Sequence, residues 1–189
     1  MTPAFEALRA AQRAKPKQPR TIAPPKVVKF WTQHAVDWPR LVSLDFETYY
    51  DQEYTLSKLS TSEYVRDPRF EAIMVSIKIG RRKTVVVPAP KIRAALKKID
   101  WKTHSLLCHN TQFDGFILSH HYGIVPKFYY CTMSMGRGLH SNEIGAGLDE
   151  VARFYGRDGK LSGGLQAPGM HYADLVRTKQ YQKTADYMP

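Results

Sequence analysis

Residues 41–51 read LVSLDFETYYD. An apolar run breaks into two carboxylates, Asp45 and Glu47, with only Phe46 between them. In a strand, side chains alternate between faces, so Asp45 and Glu47 share one face at the C-terminal end of the run. Two like charges placed where a core begins admit two readings. Either the strand end simply meets solvent, or the pair is a site for a hard divalent cation such as Mg2+, which takes carboxylate oxygens.

The second informative stretch is CHNTQFDGFIL, residues 108–118. Here a short apolar strand delivers His109 and Asn110 to its C-terminal end. The helix that follows carries Phe113 and Asp114 in its first turn. Alone, Asp114 reads as a charge favoured by the helix dipole, and Asn110 as a turn residue. Together with Asp45 and Glu47 they describe two strand ends bearing acids that could converge on one edge of a sheet. In open α/β sheets, ligand sites sit at the carboxyl ends of strands.

The rest of the chain supplies such a sheet. TLSKLSTSEYVRDPRF (residues 55–70) is polar, with an Asp67-Pro68 turn near its end. EAIMVSIKIG and KTVVVPA are β-branched runs joined at Gly80-Arg81-Arg82, a hairpin pattern. KIRAALKKI has helical spacing, with Ile92, Leu96 and Ile99 on one face. TQFDGFILSHHYG predicts a helix with Thr111 as N-cap and Gly123 as its stop. KFYYCTMSMGRGL reads as a strand running into a helix, and LDEVARFYG as a short amphipathic helix closed by Gly156. Residues 157–170 hold four glycines and a proline and predict a loop, with Arg157 and Lys160 as solvated charges or phosphate contacts. The last residues, from Ala173 onward, read as helix. Antiparallel opening strands followed by strand–helix alternation give an α/β fold, a mixed sheet flanked by helices.

Composition narrows the partners. The chain has 189 residues and a net charge of +11, a balance suited to a polyanion such as nucleic acid. Residues 1–40 hold eight Lys or Arg against Glu6 and Asp37, and six of the twelve prolines. They predict a basic, flexible arm ahead of a single domain at 41–189. No apolar run approaches the ~20 residues of a membrane span. Cys108 and Cys131 make neither a metal-ligand spacing nor a disulfide framework, so the expected compartment is the reduced cytoplasm.

DFET together with HNTQFD resembles the first two motifs of the DEDD 3′→5′ exonucleases, which have an RNase H-like fold. The flanking text, LDFETYYDQEYTLSKLSTSEYVRDPRFEAIMVSI and HNTQFDGFILSHHYGIVPKFYYCTMSMGR, is similar to the proofreading domain at the front of phage-type family A DNA polymerases. The likeness covers roughly residues 41–150. It implies two divalent ions, Mg2+ or Mn2+, and a single-stranded DNA 3′ end as substrate. It also implies the polymerase domain of a longer chain as partner, and the cytoplasm of a bacterial host. Asp45, Glu47 and Asp114 match the family's first three metal ligands. By resemblance Asp45 touches both ions, and Glu47 touches one ion and the terminal sugar. Thr48 and Asn110 lie beside the strand end where DNA would pass. Phe46 and Phe113 read as core rings, with base stacking as the functional alternative. His109 reads as structural.

The departure comes at the last motif. The family's tyrosine version has Tyr, three residues, then Asp. Here the chain ends KTADYMP, so Tyr187 suits the tyrosine but its aspartate would lie beyond Pro189. Asp186, five residues after Tyr181, is the last acid present. The expectation is therefore a C-terminally incomplete exonuclease-like domain. A nucleic-acid-binding fragment without activity and an exonuclease acting on short RNA are the alternatives.

Overall fold

The computed structural model describes residues 37–140, 142–158 and 168–178. A 3-10 turn, Trp38–Arg40, leads into β1, Leu41–Thr48. Its inward residues Val42, Leu44 and Phe46 are buried, whereas Ser43 and Glu47 are half-buried and Asp45 is exposed. The period-2 pattern of the sequence is thus the pattern of burial.

β2, Ala72–Ile79, and β3, Val85–Pro88, form the expected hairpin. Gly80 opens its turn at φ +57°, and an added Cβ there would come within 2.9 Å of the Trp38 carbonyl. β2 runs antiparallel to β1, setting Asp45 beside Ser76 and Glu47 beside Met74. Beyond Glu47 the ladder skips Ile73, because Thr48 pairs with Ala72. β4, Ser105–Cys108, lies parallel to β1 on its other side, and β5, Tyr129–Cys131, lies parallel to β4. The order is β3-β2-β1-β4-β5. β1, β4 and β5 therefore present their carboxyl ends at one edge, as the two acidic motifs required.

Six helices accompany the sheet among the described residues: α1, Thr61–Arg66; α2, Ala89–Leu96; α3, Thr111–Tyr122; α4, Thr132–His140; α5, Leu148–Phe154; and α6, Tyr172–Arg177. α1 falls in the stretch read as merely polar. Its signal is a capping box: the Ser60 side chain accepts from the Glu63 amide while the Glu63 carboxylate accepts from the Ser60 amide. The helix faces the core with Tyr64 and Val65. α2 buries Ile92 and Leu96 as the spacing predicts, and Ile99 is buried just past the helix end.

Thr111 is not the N-cap of α3. Asn110 takes that position, and Thr111, in the first turn, donates its hydroxyl to the Tyr130 carbonyl at 2.7 Å, tying α3 to β5. Gly123 does end α3 in the left-handed conformation. The core gathers Val42, Leu44, Phe46, Val75, Ile77, Leu106, Ile117 and Leu118 with the rings of Tyr54 and Tyr64.

Candidate functional site

The site grows from a mismatch in strand lengths. β4 pairs with β1 only from Leu41 to Ser43, so further along β1 loses its neighbour on that edge. A buried backbone amide left there would lack a partner. Phe46 N–H finds one in Asp114, whose Oδ1 accepts it at 3.0 Å. The helix that follows β4 thus returns its first-turn carboxylate to the gap in the sheet, at the residue between Asp45 and Glu47.

Asp114 is 4% exposed. Burial, then the neighbouring charge of Asp45 and more weakly that of Glu47, push its carboxyl up to about 8. The Phe46 amide works against that rise. Burial, then the charges of Asp114 and Asp45, push the Cys108 thiol far up, as befits an inert core cysteine. Asp45, itself exposed, and the half-buried Glu47 thus act on a carboxyl that is cut off from solvent.

Hard oxygen donors of like charge that interact in this way suit a divalent cation, which removes their mutual repulsion. Among the described residues, no three His, Cys, Asp or Glu side chains stand close enough to hold an ion by themselves. Mg2+ commonly takes one or two carboxylates and completes its shell with water and substrate phosphate, so the donor set fits.

The other expected site residues are placed as follows. Phe46 is 5% exposed and its ring stacks on Tyr122, with centroids 5.7 Å apart. Phe113 packs against the core and tilts toward Tyr64. Asn110 caps α3 without a side-chain bond to it. Thr48 Oγ1 is 2.8 Å from the Tyr64 hydroxyl. His109 ties the end of β4 to α4 and to the loop before α5, through Thr132 Oγ1 and the Ala146 carbonyl, both at 2.9 Å. Tyr187, Asp186, Tyr181 and Lys160, like residues 1–36 of the arm expected at 1–40, lie outside the described residues.

Two features of the surroundings escape the motif reading. The segment 168–178 docks beside the end of β1: Glu71 accepts from the Tyr172 amide and pairs with His171, whose ring stacks on Tyr49 at 4.1 Å. Leu175 of α6 is fully buried. Tyr54 and Tyr64 form a second stack at 4.2 Å beneath the same strand end. Neither pairing has a fixed spacing in sequence, so only the fold reveals it.

The sheet order, the strand directions and the carboxyl edge define the RNase H-like fold. Solved structures share it, among them the following two. "Brucella melitensis NrnC" is 19% identical, with 77% of this chain and 65% of that chain covered and a TM-score of 0.53. "Brucella melitensis NrnC with bound Mg2+" is 19% identical over 77% of this chain and 73% of that chain, with a TM-score of 0.50. At this identity the likeness is one of fold. The chain spans just under two thirds of the length of the first of them. No protein-family model and no curated sequence matches the chain.

Proposed function

We propose that residues 41–189 form a metal-dependent 3′→5′ exonuclease domain that removes terminal nucleotides from single-stranded DNA, serving a DNA polymerase as its proofreading part. The observation that carries this reading is the Asp114 carboxylate on the Phe46 amide, which gathers acids from β1 and α3 at the carboxyl edge of the sheet.

Asp45, Glu47 and Asp114 are the residues that would hold two divalent ions, Mg2+ or Mn2+. Such ions, when bound, activate water, polarise the scissile phosphate and stabilise the departing oxygen. A solved structure of similar fold with bound Mg2+ supports the choice of metal. The protein's own part is to fix the three carboxylates on a strand and a helix, and to keep Asp114 buried away from water. A chain of net charge +11 supports a polyanionic substrate. Tyr187 remains the proposed water-positioning tyrosine in one alignment, and Asp186, five residues after Tyr181, the proposed last acid in the other.

The test is digestion of 5′-labelled single-stranded DNA and RNA of one sequence with Mg2+ or Mn2+, beside an Asp45→Ala/Glu47→Ala variant. A one-nucleotide ladder on DNA from the unmodified protein alone is the expected result. A ladder on RNA only would overturn the choice of substrate. Binding with no ladder on either would overturn the enzymatic reading.

A further inference from the structure

The strand that carries Asp45 and Glu47 is regular up to Glu47 and irregular immediately after it, where the β1–β2 ladder skips Ile73. Bulges bend a strand and re-aim the side chains beside them. Something must therefore hold the end of β1 in one arrangement if Glu47 is to keep a fixed direction.

α1 supplies the holder. Tyr64 is 2% exposed. Its hydroxyl donates to the Tyr49 carbonyl. It lies 2.8 Å from Thr48 Oγ1, and with its own proton given to a carbonyl it accepts there. One oxygen thus grips the two residues that follow Glu47. Tyr64 is gripped in turn: the Tyr54 ring stacks on it, and the Tyr54 hydroxyl donates to the Tyr64 carbonyl at 2.6 Å. The Ser60–Glu63 capping box fixes the start of the helix that carries it.

We propose that Tyr64 is a positioning residue for the acidic edge, its hydroxyl holding the Thr48 hydroxyl and the Tyr49 carbonyl so that Glu47 points toward a bound divalent cation. This rests on the metal-binding reading above. Partners that orient a metal ligand without touching the metal are worth about 10–100-fold in affinity.

The test is Mn2+ binding to the full chain by calorimetry, with thermal melting in parallel, for the unmodified protein, Tyr64→Phe, Thr48→Val and Tyr54→Phe. Tyr64→Phe keeps the buried ring and removes both strand contacts, and should weaken Mn2+ binding about tenfold. Thr48→Val removes one contact from the strand side and should weaken it in the same direction. Tyr54→Phe loses a core hydrogen bond but neither strand contact, so it should lower Tm while leaving affinity unchanged. Equal affinity in the unmodified protein, Tyr64→Phe and Thr48→Val would overturn the role of Tyr64 and leave the metal site standing. Equal losses in Tyr54→Phe and Tyr64→Phe would reduce Tyr64 to a packing residue. No Mn2+ binding by the unmodified protein would overturn the metal reading, and the role of Tyr64 with it.

Discussion

Asp114 sets a buried carboxyl against a backbone amide with Asp45 and Glu47 nearby, and that arrangement is favourable in one protonation state only. In the unfolded chain it ionises near the ordinary aspartate value of 3.8, whereas in the fold it is pushed up to about 8, first by burial and then by Asp45. Between those values the folded protein holds a proton that the unfolded chain has released. Stability without metal must then fall as pH rises from about 4 to about 8. Asp114→Asn keeps an oxygen for the Phe46 amide and cannot ionise. Urea denaturation in EDTA at pH 8 should find it more stable than the parent by on the order of a few kcal/mol, with little difference near pH 4. Parallel pH profiles for the two proteins would refute that account. The acids themselves were legible, since DFET and HNTQFD carry their positions. That one of them would meet the amide between the other two was not, because the bond joins residues 68 positions apart.

At the scale of the element, α3 does two jobs, presenting Asp114 and covering β5. Gly115 sits where the helix meets that strand. An added Cβ would lie 3.2 Å from Cε1 of Tyr129 and 3.3 Å from Cγ2 of Thr111. Gly115→Val must therefore displace the Tyr129 ring or the helix that faces it. A loss of about 1–3 kcal/mol in denaturant unfolding is expected, and an unchanged midpoint would show that the helix has room. Strands, hairpin and the longer helices follow from apolar periodicity and stop signals, as at Gly80 and Gly123. α1 does not, because six residues give periodicity too little length to show. Its capping box was present in the sequence, and the core then selected Tyr64 and Val65 as its inner face. Thr111 was misplaced for a related reason: both Asn110 and Thr111 suit a helix start, and the reach to the Tyr130 carbonyl decides between them.

For the whole molecule, the parallel strands β1, β4 and β5 bring distant acids to one edge, and a ligand that binds there only in the folded state must stabilise the fold. Mg2+ at tenfold its dissociation constant would contribute about 1.4 kcal/mol, raising Tm by roughly 3–6 °C for a chain of this size. EDTA should reverse the rise and Asp45→Ala should abolish it; a Tm indifferent to Mg2+ would sink the metal site. Among the described residues no helix is long and apolar enough to cross a membrane. Alternation and motif spacing, which are local properties, determined by themselves the strand faces, the α/β class and the identity of Asp45, Glu47 and Asp114 as candidates. The tertiary structure alone decided that β4 stops short of β1's end, that Asp114 fills the gap, and that Tyr64 and the segment around His171 grip the strand beside it. Those contacts depend on where distant segments meet after the sheet has formed, and no local pattern records such a meeting.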